Sequence, residues 1–232
     1  MKLGAVKRFF RGESVYMYLL ILATAVGITV TGIVFDQDFF RMVPLYISLS
    51  VMLFQSKALV VAPLIGGINS IIYAFVDYSY GLYASMLSDI LISFPFQIAT
   101  FILWFRKKDG ATTRFRSLSN KWRIITIAVV IAAYIPILIF DIMKGATLAP
   151  LDAYTLVSGF LVSTLMLLAF VEYTYASVFG CVITVIMNSI MVIDTPDRSC
   201  YLIFSIYSLI CCARGLINVR KIYARQRLEI KE

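Results

Sequence analysis

Apolar residues fill the chain in long unbroken runs, at roughly 15–35, 40–54, 58–77, 82–105, 123–142, 151–171, 174–193 and 199–218, separated by charged or Pro/Gly-bearing breaks. A hydrocarbon core of about 30 Å takes roughly 20 apolar residues per helix. The pattern therefore predicts an all-α polytopic membrane protein with about eight transmembrane helices. Transmembrane β-strands would alternate with a period of two. Run 15–35 is longer than the apolar segment of a secretory signal and lacks a small-residue cleavage site before Asp36, so it is expected to remain as a span. Run 40–54 is short and must tilt, extend or be shielded by neighbours.

Composition narrows the chemistry. Of 232 residues, 61% are hydrophobic and 15% charged, with mean hydropathy +0.89, against roughly 25% charged in soluble domains. Histidine is absent, which removes imidazole metal and haem sites and histidine proton relays. Cys181, Cys200, Cys211 and Cys212 have no CxxC spacing, so no metal site and no cofactor are expected. With no nucleophile–base arrangement and no paired carboxylates on one helix, the chain is not expected to be an enzyme.

The charges fix an expected orientation. If the N-terminus is cytoplasmic, seventeen Lys and Arg fall on that side, among them the seven from Arg106 to Arg123, against Arg41, Lys144 and Arg198 opposite. This bias predicts a multi-pass protein with both termini cytoplasmic. The net charge of +8 then reflects topology, and no nucleic-acid partner is expected.

The longest polar stretch, Arg106 to Arg123, reads as a flexible basic connection. Three runs precede it, a lone helix follows, and three more runs complete the chain. The predicted division is an N-terminus and extra helix (1–36), a first three-helix repeat (37–106), a basic cytoplasmic loop and connecting helix (107–150), a second repeat (151–221) and a cytoplasmic tail (222–232). Asn69-Ser70-Ile71 in one triplet pairs with Asn188-Ser189-Ile190 in the other, and Tyr83 and Tyr201 follow at 14 and 13 residues. A lone connecting helix makes the repeats parallel, a 3+1+3 arrangement like that of the SWEET sugar carriers, with substrate between the repeats.

Polar groups that lipid does not tolerate mark a candidate pathway. Ser85, Asp89, Ser93 and Gln97 recur at spacing four, and Thr100 and Trp104 continue the same helix face. The serines and Thr100 suit close helix packing. Gln97 offers donors and acceptors in mid-helix. Asp89 suits hydroxyls, a cation, a pairing with Arg214, or proton coupling. Asn69 and Asn188 are the amides of the two middle helices, and Tyr73, Tyr207 and Ser208 are placed to line the same cavity. Pro63, Gly66-Gly67 and Pro95 open their helices for close approach or a kink.

The segment Pro63-Leu-Ile-Gly-Gly-Ile-Asn-Ser-Ile-Ile-Tyr73, then Gly81-Leu-Tyr-Ala-Ser85, Gln97 and Trp104, resembles the nicotinamide riboside transporter (PnuC) family of bacterial vitamin carriers. Asn188, Tyr201 to Tyr207 and Gly215 resemble its second half more loosely. The resemblance covers roughly 40–221. It implies a full-length SWEET-like fold, often a homotrimer, in the bacterial inner membrane, passing dephosphorylated vitamin precursors by facilitated diffusion, with nicotinamide riboside first among them. The implied partners are a small vitamin or nucleoside substrate and membrane lipid. Relatives of similar fold carry thiamine, riboflavin or deoxynucleosides, and an ion-coupled carrier using Asp89 is the alternative mechanism. Val61, Ala62 and Thr184 stand where tryptophans are usual in the family, and Asp89 where an amide is. Ring stacking then falls to Tyr73, Tyr175, Phe179 or Tyr207.

Overall fold

The structure, a computed structural model, describes residues 15–79, 89–143, 148–194 and 196–229. Tyr83, Ser85, Lys144 and the N-terminal basic residues of the sequence argument lie outside them. Among the described residues eight α-helices follow one another: α1 (Val15–Val34), α2 (Phe39–Ser56), α3 (Ala62–Ser79), α4 (Phe94–Arg106), α5 (Asn120–Met143), α6 (Ala149–Leu167), α7 (Tyr173–Asp194) and α8 (Ser199–Glu229). Seven are long and apolar enough to cross a membrane, α4 counted with the turn before it, and α3 adds a shorter apolar helix over Ala62–Val76. The spans match the eight apolar runs, as the hydrocarbon requirement dictates.

Six helices close a ring in chain order. α2 packs on α3, α3 on α4, α4 on α6, α6 on α7, α7 on α8, and α8 returns to α2. α1 lies outside against α8 and α2, and α5 outside against α6. Within each triplet the middle helix thus stands between the other two.

Local sequence explains the ends. Asp38 caps α2, its carboxylate accepting from the Phe40 amide at 3.0 Å. α4 is entered through a π-helical turn, Asp89–Ser93, with Pro95 just beyond it. A prolyl nitrogen cannot donate to the carbonyl four residues back, and a widened turn absorbs that gap. α2 and α6 end alike. After each, an alanine takes a left-handed conformation, Ala58 at φ 53° and Ala169 at φ 56°. The next amide reaches back five residues, Leu59 to Phe54 at 3.1 Å and Phe170 to Leu165 at 2.9 Å, the bond that closes a Schellman turn. α3 and α7 then start three residues further on in each case, at Ala62 and Tyr173.

These turns set the register between the triplets, and they correct the tripeptide pairing. Asn69 is the eighth residue of α3, whereas Asn188 is the sixteenth of α7. The position matching Asn69 is Gly180.

Two apolar clusters hold the bundle. One joins α1, α2 and α8 through Met17, Ile28, Leu45, Leu49, Leu53 and Tyr207. The other sits at the basic end and gathers Trp104, Phe115, Leu165, Val171, Tyr173 and Val219. Gly215 lets α8 approach closely there, since a Cβ on it would lie 3.3 Å from the Ser56 Cα.

The basic connection is ordered, against the expectation of flexibility. It forms a hairpin of β1 (Lys108–Asp109) and β2 (Thr112–Thr113), turning at Gly110 with φ 64°. The segment expected as a tail clamps it: α8 stays helical to Glu229, and buried Gln226 donates to the Asp109 carboxylate and the Thr113 carbonyl and accepts from the Phe115 amide, each at 3.0 Å. Arg116 exchanges backbone bonds with Ala169 and Val171. Glu172 accepts from Ser117 Oγ, the Leu118 amide and Arg123 at 2.9, 3.1 and 2.8 Å. Burial alone would raise the Glu172 pKa, but bonds from its own backbone, Arg123, Leu118 and Ser117 outweigh it and hold the carboxyl below its ordinary value. These partners all lie in the second triplet; to the first, the Ala111 carbonyl accepts from the Val60 amide of the α2–α3 turn at 3.2 Å.

Replacing Gln226 by Ala leaves the Phe115 amide and the Asp109 carboxylate without their partner, at about 1–3 kcal/mol. The expected result is a fall in thermal midpoint of roughly 3–10 °C, read by a thermal-shift assay in detergent, with the helical content retained. An unchanged midpoint would refute the clamp.

Candidate functional site

The site is built on the first three turns of α3. Gly66 removes the side chain that would separate α3 from α4, and a Cβ there would collide with the Gln97 amide oxygen. Gln97 therefore lies directly against the α3 backbone. Three residues on, buried Asn69 faces α2, where its Nδ2 donates to the Pro44 carbonyl at 3.1 Å and to Ser48 Oγ at 2.8 Å. Ser48 also meets the Tyr73 hydroxyl at 3.4 Å. Asn69, Ser48 and Tyr73 form one polar chain between two apolar helices.

The Pro44 carbonyl can only accept, so the Asn69 amide is oriented with Nδ2 toward it. Its Oδ1 is buried and finds no partner in the protein, and the same is true of Gln97 Oε1. An unpaired buried acceptor costs about 1–3 kcal/mol. Two such oxygens flank the same turns of α3, and a ligand that donates hydrogen bonds would satisfy them. Asp89 stands at the start of the π-helical turn, eight residues before Gln97 and about 12 Å along the axis.

Other candidates lie elsewhere. Trp104 is 1% exposed, and its Nε1 donates to the Met166 carbonyl of α6 at 2.8 Å, within the cluster of Phe115 and Tyr173. Tyr207 is also 1% exposed and donates to the Leu49 carbonyl of α2 at 2.7 Å. These side chains fasten the two junctions between the triplets, α4 to α6 and α8 to α2. Ser208 joins a thiol cluster, 3.5 Å from Cys181, whose Sγ lies 3.3 Å from that of Cys212. Asn188 reaches the Tyr201 carbonyl of α8 at 3.5 Å. Phe179 packs edge-on against Tyr154. Of the rings considered for stacking, Tyr73 is the one in this polar chain.

Sequence reasoning missed Ser48, a serine in an apolar run whose one signal is a helix-interior proline four residues earlier. It also missed Gln55 and Ser177, which with Ser56, Thr174, Cys212 and Gly215 line a cavity of about 30 Å³ between α2, α7 and α8, room for about one water. Among the described residues no group of three His, Cys, Asp or Glu could hold a metal ion.

A helical membrane ring with buried polar acceptors left open is the architecture of a multi-pass transporter. The nicotinamide mononucleotide transporter family model matches residues 38–221, and the chain belongs to that family; it is a transporter and not an enzyme. It is 24% identical to the nicotinamide riboside transporter PnuC of Neisseria mucosa, over 97% of this chain and 89% of that protein. Its fold is similar to the crystal structure of the vitamin B3 transporter PnuC, with a TM-score of 0.77 and 20% identity over 97% of this chain and 100% of the other.

Three substitutions separate site from scaffold. Gln97→Leu and Gly66→Ala, which displaces the Gln97 amide, should each weaken ligand binding roughly threefold to tenfold, the equivalent of about 0.5–1.5 kcal/mol, with little change in thermal midpoint. Trp104→Phe should lower the midpoint and leave affinity within a factor of about two. Calorimetric titration and thermal unfolding of the same preparations check this. Equal affinity in all three variants and the parent would remove Gln97 from the site.

Proposed function

We propose that the chain mediates facilitated uptake of a dephosphorylated vitamin precursor, with nicotinamide riboside as its first substrate, across a bacterial cell membrane. The observation that carries the reading is the pair of unpartnered buried oxygens, Asn69 Oδ1 and Gln97 Oε1. Nicotinamide riboside presents ribose hydroxyls and a carboxamide N–H₂ as donors, and its ring is cationic. Tyr73 supplies a ring face beside the amides, and Asp89 supplies the one carboxylate of the polar stripe of α4. The names of the family and of the Neisseria relative support the same substrate class. Thiamine, also a cation, is the second reading that Asp89 favours; riboflavin and nucleosides share the donor chemistry.

The ring supports two parallel repeats, 37–106 and 151–221. Exchanging α2, α3 and α4 for α6, α7 and α8 maps its contacts onto themselves, and the two matching turns favour the same pairing. Parallel repeats joined by a lone helix are what a 3+1+3 carrier of the SWEET kind requires. The charge bias supports cytoplasmic termini, with the hairpin and the end of α8 on the cytoplasmic face. Assembly as a homotrimer in contact with membrane lipid rests on the family resemblance. Retention of the substrate would come from phosphorylation inside the cell.

Proteoliposomes test the mechanism. Nicotinamide riboside should equilibrate across the membrane without any pH gradient, and Asp89→Asn should weaken its equilibrium binding, because the amide loses the charge that faces a cation. Accumulation above the external concentration, dependent on an imposed pH gradient and lost in Asp89→Asn with binding intact, would instead make Asp89 a coupling site.

A further inference from the structure

α5 is fastened to the bundle near its start and again past its middle. At the basic end Arg123 reaches Glu172, on the α6–α7 turn, at 2.8 Å. Further along, the Tyr134 hydroxyl donates to the Pro150 carbonyl of α6 at 3.1 Å. Between these fastenings the helices leave a groove of about 600 Å³, lined by Trp122, Val129 and Ala133 from α5, by Val157 and Phe160 from α6 and by Leu168 just past its end. Its walls are almost wholly apolar.

The dimensions suit a hydrocarbon chain. From Trp122 to Ala133 is eleven residues, about 16 Å, half of a hydrocarbon core of about 30 Å; Leu168 to Val157 covers the same depth on the antiparallel wall. The groove is therefore one leaflet deep. The groove is long, narrow and almost wholly apolar, and an extended hydrocarbon chain fits along it.

The mouth has the chemistry of a headgroup site. Ser117 and Ser119 line it, and Trp122, 59% exposed, stands at the level where amphipathic rings meet the interface. Arg116 lies over the Phe170 ring with its guanidinium 4.5 Å from the centroid, and its Nε donates to the Leu168 carbonyl. Lys121 is exposed in the first turn of α5, next to Trp122 in sequence. The stretch from Arg106 to Arg123 carries seven basic residues against Asp109, a field that attracts anionic headgroups.

We propose that this groove binds an anionic phospholipid of the leaflet on the basic side, one acyl chain lying between α5 and α6 and the phosphate held by the Ser119 hydroxyl with Arg116 and Lys121. The lipid fills the space between the peripheral helix and the ring, and so completes the packing of α5.

Phosphatidylglycerol and phosphatidylcholine of identical chains are the probes, titrated into delipidated full-length protein and read by native mass spectrometry. One phosphatidylglycerol per chain should be retained at least tenfold more strongly than phosphatidylcholine. Val129→Trp, which fills the groove, should reduce that retention at least tenfold, and Lys121→Glu should abolish the preference for the anionic lipid. Independently of any variant's folding, phosphatidylglycerol carrying a diazirine in its acyl chain should label the unmodified chain within 122–133 and 157–168. Equal retention of both lipids, labelling outside these segments, or cross-links between groove residues of two copies would overturn the proposal, the last by making the groove an interface between chains.

Discussion

The fold depends on side-chain donors that bond backbone carbonyls across helix boundaries. Inside a bilayer there is no water to take up a stray polar group, and apolar burial gives little preference for one helix neighbour over another. Specificity then falls to packing and to such bonds. α2 receives three along its length: Asn69 at Pro44, Tyr207 at Leu49 and Asn218 at Ser56. α6 receives Trp104 at Met166. Ser56 and Met166 both lie in the last turn of their helices, where a carbonyl has acceptor capacity to offer a side-chain donor, and each is met from the last helix of the opposite triplet. These bonds close the ring at both junctions.

The same constraint decides which polar groups remain for a ligand. Asn69 gives its N–H₂ to α2 and keeps its oxygen; Gln97 is pressed against the bare backbone of Gly66, its oxygen unpaired. Tyr207 gives its hydroxyl, and Trp104 its one N–H, to the scaffold. A helix bundle that spends its donors on its own carbonyls leaves acceptors for the cargo, and this favours substrates rich in hydroxyl and amide hydrogens.

Much of this was legible in the sequence. Hydrocarbon thickness is a length rule, so eight apolar runs located eight helices, and the Gly66-Gly67 pair located the close approach that seats Gln97. The roles of Trp104 and Tyr207 were not legible, because an aromatic with a polar tip in an apolar run looks the same whether it meets a ligand or a neighbouring carbonyl. The Asn69–Asn188 pairing failed because register is set by turn geometry, by the left-handed Ala58 and Ala169, and alanine carries no turn signal of the kind glycine does. The basic connection reads as flexible by composition; its order comes from Gln226 and Glu172, partners distant in sequence.

The central claim is that Asn69 Oδ1 and Gln97 Oε1 are the acceptors that hold the transported molecule. A crystal structure with nicotinamide riboside bound tests it most directly. The account predicts ligand donors about 2.7–3.2 Å from both oxygens, with the Asn69 bonds to Pro44 and Ser48 and the Trp104 and Tyr207 junctions unchanged. A ligand seated elsewhere, with both oxygens still unpaired, would contradict it.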